Sequence, residues 1–157
     1  MMEDEGIKLI KINNENEILE NPFIMKAIDL YEIRAENQGE AVTKLLRYFN
    51  ISTETYFIKN KYNSVIGIFG VREVSPTTAL PWALTSEIPK EEAFSVISAS
   101  NRIAKIYKEK YSVLYNYTAC ENTVTQKWLE YLGFTIYKDD VCRMWDGIEM
   151  YRFEWRK

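Results

Sequence analysis

The chain of 157 residues contains no histidine, two cysteines and six glycines. Without histidine there is no histidine-based catalytic triad and no histidine general base. Cys120 and Cys142 alone cannot supply the tetrahedral ligand set of a zinc site, so no metal is expected. Glycine is too sparse for a phosphate loop. Gly67 and Gly70 lie in Val65-Ile66-Gly67-Ile68-Phe69-Gly70-Val71, which holds no Gly-x-Gly-x-x-Gly, and no Gly-Lys-Ser/Thr occurs anywhere. The chain also lacks a run of basic residues, and its net charge of −3 gives non-specific nucleic-acid binding no electrostatic drive. No apolar run approaches the ~20 residues of a membrane span. The acidic start, Met1-Met2-Glu3-Asp4-Glu5-Gly6, is not followed by an apolar stretch of signal-peptide length. The expectation is a cytoplasmic protein with reduced thiols and no membrane or nucleic-acid partner.

What the chain does have is an ordinary globular balance, 46% hydrophobic and 27% charged, with 4 Trp, 11 Tyr and 7 Phe to bury. Its length suits one core, and no Pro/Gly/Ser linker, repeat or low-complexity segment divides it, so residues 1–157 read as a single domain. Ile7 to Ile12 alternates apolar residues with lysine, a short strand. Asn21-Pro22 predicts the start of a helix carrying Ile24, Ala27, Ile28 and Tyr31 on one face. Val42, Leu45, Leu46 and Phe49 recur at helical spacing and predict a second helix. Thr55 to Ile58, a polar turn from Lys59 to Ser64, and Val65 to Val74 read as an antiparallel hairpin. Ser75 to Thr78 turns the chain into a third strand, Ala79 to Thr85, in which Pro81 requires an edge or a bulge. A long helix follows. Pro89, Glu91 and Glu92 mark its start, and Lys105, Lys108 and Lys110 its end, with Val96, Ser100, Ile103 and Tyr107 on the buried stripe. Val113 to Ala119 is a strand. Thr123 to Leu132 is a helix with Val124, Trp128, Leu129 and Leu132 facing inward, closed by Gly133. Strands around Phe134 to Tyr137 and Met150 to Trp155 end the chain, joined through Asp146-Gly147. The class is α/β, with a mixed sheet of about six to seven strands, an antiparallel meander before a βαβ unit, and helices on both faces.

That order, together with Asn122-Thr123-Val124-Thr125-Gln126-Lys127-Trp128-Leu129-Glu130-Tyr131-Leu132-Gly133-Phe134, resembles the GNAT acyltransferase family, whose late motif is Asn, a short helix, then Leu-Gly-Phe. Trp82-Ala83-Leu84-Thr85 before a long polar helix, followed by Leu114-Tyr115-Asn116-Tyr117, is similar to a group of small bacteriophage GNAT-like proteins that includes an internal virion protein of short-tailed phages. The resemblance runs from Val65 to Phe134. It implies acetyl-CoA as cosubstrate. In that arrangement Leu84 and Thr85 would offer backbone groups to the pantetheine arm, the helix start at Glu92, Ala93 and Phe94 would hold the pyrophosphate, and Asn122 would contact CoA. Two departures stand out. Where the family carries Arg/Gln-x-x-Gly-x-Gly/Ala, Ser86 to Ser95 holds no glycine but has Glu91 and Glu92. Where the family places its general-acid tyrosine this chain has Leu129, and Tyr131, two positions on, is turned by roughly 200° on a helix.

Each candidate has a plainer alternative. Asn122 is either a CoA contact or a cap for the helix that starts at Thr123. Leu84 and Thr85 are either pantetheine partners or ordinary sheet residues. Without histidine the proton acceptor must be a carboxylate, a tyrosine or water, and Glu73, Glu87 and Tyr117, near the cleft that the resemblance implies, are the catalytic candidates, or else surface charges and a core aromatic. Cys120 lacks a partner to form a thiolate and reads as inert. Trp82, Tyr115, Tyr117 and Trp128 either line a pocket or build the core. The expected function is transfer of an acetyl group from acetyl-CoA to a small-molecule or protein amine by a bacteriophage-type enzyme with a degenerate CoA loop. The alternative is a catalytically inactive phage protein of the same fold, used in virion structure, in assembly or to bind a host protein.

Overall fold

The computed structural model describes residues 2–4 and 6–157. Its elements in chain order are β1 (Met2–Asp4), β2 (Ile7–Lys11), α1 (Glu15–Glu20), α2 (Ala27–Glu32), α3 (Gln38–Ile51), β3 (Glu54–Lys59), β4 (Val65–Ser75), β5 (Thr78–Thr85), α4 (Lys90–Lys110), β6 (Val113–Ala119), α5 (Thr123–Tyr131), β7 (Thr135–Arg143) and β8 (Glu149–Arg156). The strands form one mixed sheet in the order β1-β2-β3-β4-β5-β6-β8-β7. The meander followed by βαβ is as the sequence predicts, and Met2–Asp4, paired antiparallel with Ile7–Leu9, lengthens the sheet by a strand. The chain clusters into two compact units, residues up to Arg72 with Trp82–Ala99, and Glu73–Pro81 with Ser100–Lys157. Strands β4 and β5 and helix α4 each pass from one unit into the other.

In the first unit, β2, β3 and β4 pair antiparallel, Ile10 opposite Phe57 and Phe57 opposite Ile68. The β3–β4 turn is built on Asn60, whose side-chain oxygen accepts from the N–H groups of Tyr62 and Ser64, while Asn63 takes the left-handed backbone that asparagine tolerates. Ile12, Ile18, Met25, Ile33, Leu45, Phe57, Ile68 and Leu84 form the core of this unit. Gly67 and Gly70 serve close packing here. A Cβ on Gly67 would stand 2.9 Å from the Leu84 carbonyl oxygen, and one on Gly70 would stand 2.7 Å from the Trp82 ring. Trp82 is held over Gly70 by its Nε1–H donating to Ser52 Oγ at 2.8 Å and by the Tyr48 ring at 5.2 Å, so this tryptophan builds the unit's packing.

The helix expected from Pro22 is corrected. Asn14 opens α1 with a reciprocal capping box to Glu17, and Asn21 ends it, donating its side-chain amide to the Glu17 carbonyl. The helix does not start at Pro22, and the backbone of Met25 and Lys26 is engaged elsewhere. The Gln38 side chain accepts from Met25 N–H and donates to Met25 C=O, both at 3.0 Å, and Lys26 N–H donates to the Thr85 carbonyl at 3.0 Å. Ile24 is therefore exposed, Met25 is buried, and α2 begins only at Ala27.

In the second unit, β6 pairs antiparallel with β8, and β8 with β7. The parallel ladder between β5 and β6 consists of Thr78 opposite Val113 and Ala79 opposite Leu114. Pro81 has no N–H to extend it, and the Pro81 carbonyl instead accepts from the Asn116 side-chain amide at 2.9 Å. The α5 cap is a Schellman motif: Phe134 N–H reaches Leu129 C=O, Gly133 N–H reaches Glu130 C=O, and Gly133 adopts φ +96°. Val124, expected to face inward, is exposed, and the buried polar residue of α5 is Gln126, whose side-chain amide donates to Ala119 and Cys120 carbonyls. Those two bonds orient the helix.

Candidate functional site

The strand end at Thr85 is a buried polar site in the first unit. Ser86 N–H donates to Ile66 C=O on β4. Backbone groups alternate along a strand, so the N–H and C=O of Thr85 point to the opposite edge. Both are taken there by the start of α2. Thr85 N–H donates to Asp29 Oδ2 at 2.8 Å, and Thr85 C=O accepts from Lys26 N–H at 3.0 Å. Lys26 Nζ adds a bond to Thr85 Oγ1 at 2.8 Å and lies 3.6 Å from Asp29 Oδ2. Asp29 and Thr85 are 3% and 2% exposed. Burial pushes the Asp29 carboxyl up to about 6, against the lowering pull of Lys26 and of the Thr85 N–H.

Lys26 and Asp29 are absent from the residues that sequence reasoning singles out. The only trace of Asp29 is its place between the apolar Ile28 and Leu30. A carboxylate in the first turn of a helix is ordinarily read as a solvated partner of the helix dipole.

The other predicted positions of this unit divide by exposure. Leu84 is buried in the core cluster. Glu87 is exposed on the segment between β5 and α4. At the head of α4 Pro89 C=O accepts from Glu92 N–H, Glu91 is exposed, Ala93 is half-buried and Phe94 is 70% exposed. Glu92 turns inward, and its buried Oε2 has no hydrogen-bond partner among the described residues. The acidic pair is thus split, and the first-turn N–H groups sit beside one exposed carboxylate and Lys90.

In the second unit the structure gives three candidates a structural partner. Glu73 Oε2 accepts from the buried Tyr111 hydroxyl at 2.7 Å. Asn122 caps α5, its side-chain oxygen accepting from Thr125 N–H at 3.2 Å. The Tyr117 hydroxyl accepts from Arg152 Nη1 at 3.4 Å, and that guanidinium stacks on the Tyr115 ring at 4.0 Å. Arg152 also donates to Glu154 Oε1 at 2.8 Å, and Arg156 Nε to Oε2 at 3.0 Å. Donation from Arg152 holds the Glu154 carboxyl below its usual range. The signal for this cluster was the period-2 placement of Arg152, Glu154 and Arg156 on one face of a strand. Burial raises the Cys120 thiol, which leaves it a poor nucleophile. Among the described residues no group of three or more Cys, Asp and Glu could hold a metal ion, and no helix is long and apolar enough to cross a membrane.

An acyl-CoA fits part of this. The α4 start offers backbone N–H groups to phosphate. Thr85 carries the donor–acceptor pair that an amide-bearing arm would use, but α2 already holds it.

The fold so defined is that of the GNAT acetyltransferases. An IAA acetyltransferase from Bacillus cereus matches with a TM-score of 0.63 and 15% identity over 96% of this chain and 99% of its own. The spermidine N-acetyltransferase of Vibrio cholerae in complex with CoA and spermine matches with a TM-score of 0.68 and 12% identity, over 96% and 95%. Campylobacter jejuni N-acetyltransferase PseH matches with a TM-score of 0.59 and 16% identity, over 96% and 98%. No protein-family model matches the sequence, and a search of curated proteins finds no relative.

Proposed function

We propose that residues 1–157 work as one acyltransferase domain that moves an acetyl group from acetyl-CoA to an amine, with a small polyamine-like molecule as the favoured acceptor class. The observation that carries this reading is coverage: 96% of the chain superposes on the V. cholerae enzyme crystallised with CoA and spermine. Acetyl-CoA supplies the activated acyl thioester, and the first turn of α4, at Lys90 and Glu91 just ahead of Glu92 to Phe94, offers its phosphates backbone N–H groups that the helix leaves free. Thr85 provides the strand edge that positions the arm, and Leu84 anchors that edge in the core, a task of orientation more than of chemistry. Glu87 accepts the proton that the amine loses. It is exposed two residues beyond Thr85, whereas Glu73 is bonded to Tyr111, and Tyr117 to Arg152.

The alternative is a catalytically silent bacteriophage-type protein of the same fold, with a role in virion structure, in assembly or in binding a host protein. It is favoured by the engagement of both Thr85 backbone groups and by the glycine-free loop from Ser86 to Ser95. Calorimetric titration with acetyl-CoA, followed by an acetylation assay on spermidine, separates the two. Binding and turnover support the enzyme, and no heat of binding at millimolar acetyl-CoA removes it.

A further inference from the structure

Among the described residues, β5 is paired with β6 at Thr78 and Ala79, and at Thr85 the start of α2 fills that edge in a strand-like way. Lys26 gives a backbone N–H to the Thr85 carbonyl at 3.0 Å, and Asp29 supplies the acceptor for the Thr85 N–H at 2.8 Å. One amide of an extended ligand presents the same two functions, a donor and an acceptor. The two occupants are mutually exclusive, because the Thr85 N–H makes one strong bond at a time.

We propose that the α2 start, Lys26 to Asp29, is an autoinhibitory clasp on β5, and that the amide-bearing arm of acyl-CoA binds by displacing it from Thr85. The proposal rests on the acyltransferase reading and adds a regulatory step to the same site. Two features make the clasp able to open. The residues that lead into it are held by side-chain bonds, Gln38 to Met25 and Lys26 to Thr85, and the helix it opens, Ala27–Glu32, has only six residues. Its central acceptor is also a buried carboxylate, for which the loss of water outweighs the pull of Lys26, and an ionised carboxylate is more stable in water than there.

The second feature gives the clasp a pH sense. The charged groups acting on Asp29 are Lys26 and Glu32, and β5 presents the Thr85 N–H to it. Closed, the carboxyl titrates near 6; released into water it returns toward 3.8, so the closed state binds the proton more tightly. Acid therefore favours closure, and rising pH favours opening. Complete release of the carboxyl corresponds to an effect on affinity of up to about a hundredfold between pH 4 and 7.

The test is calorimetry with acetyl-CoA from pH 5 to 8 on the wild type, Asp29→Ala, Asp29→Asn and Lys26→Ala, each checked for folding by circular dichroism, with amide exchange at Thr85 followed by NMR. Asp29→Asn is the control that separates the carboxyl's titration from that of the phosphates of acetyl-CoA. The clasp requires Asp29→Ala to bind at least tenfold more tightly than wild type at pH 6, and Lys26→Ala severalfold more tightly. It also requires the wild-type affinity to rise with pH, less steeply in Asp29→Asn, and the Thr85 amide to shift on saturation. If Asp29→Ala is folded and binds no more tightly than wild type, the clasp is overturned while the acyltransferase reading stands. If all four proteins are folded and none binds at millimolar ligand, both fall.

Discussion

Asn122, Glu87, Asp29 and Glu154 show how little a residue type says about its role before its partners are known. Asn122 caps α5, so Asn122→Ala should lower stability by about 1 kcal/mol in a denaturant melt while Asn122→Ser restores most of it. If it were chiefly a CoA contact, stability would hold and acetyl-CoA affinity would fall. If the proposed transfer runs through Glu87, Glu87→Gln should reduce kcat/KM for spermidine acetylation at neutral pH by about tenfold or more, with the acetyl-CoA affinity unchanged. Asp29 and Glu154 titrate in opposite senses. The folded protein raises the Asp29 carboxyl from 3.8 to about 6, so its contribution to stability is full below 3.8 and is lost as pH rises through about 6. The difference is at most about 3 kcal/mol. Glu154 is depressed by Arg152, so its contribution is present above the ordinary carboxyl range and is lost as pH falls through it. Stability curves of Asp29→Asn should therefore be flatter between pH 4 and 6, and those of Glu154→Gln flatter at lower pH.

At the scale of elements, the late motif was legible because it is built from local chemistry. Gly133 adopts φ +96°, and a Cβ there would also meet Lys108 Nζ at 2.8 Å, the ammonium that donates to the Leu132 carbonyl. Gly133→Ala should thus cost about 1–2 kcal/mol in thermal or denaturant unfolding. Gly70 illustrates the other kind of glycine. Its backbone is ordinary, and its lack of a side chain matters because the Trp82 ring lies on it. Gly70→Ala should destabilise by about 1–3 kcal/mol through overpacking, and near-ultraviolet circular dichroism should report the displaced indole. Nothing in Ile68-Phe69-Gly70-Val71 marks that contact. The same distinction explains the error at the first helix. Pro22 is a good start signal, yet the bonds that draw out residues 21–26 come from Gln38 and Thr85, far along the chain. Propensity has no term for them.

For the whole molecule, the order of elements was readable from alternation and helical spacing, since each strand and helix must bury one face whatever its neighbours are. The meander, the long polar helix and the strand–helix–strand ending at Phe134 follow from that rule, and they suffice to indicate a GNAT-type fold. The absence of histidine and the glycine-free loop from Ser86 to Ser95 are also plain in the sequence, and the first leaves the proposed transfer a carboxylate, a tyrosine or water as proton acceptor. The structure decided what the candidate residues are free to do. Glu73, Tyr117 and Asn122 were chosen for their chemistry, and each proves to be bonded to Tyr111, Arg152 or the α5 backbone. Glu91 and Glu92, adjacent in sequence, part into solvent and interior because successive helical residues point about 100° apart. Lys26 and Asp29 reach Thr85 across a separation of more than fifty residues. Sequence sets which groups a chain owns and which local shapes they favour. Whether a given N–H or carboxylate is available to a ligand depends on partners distant in the chain, and those are chosen only when the tertiary fold closes.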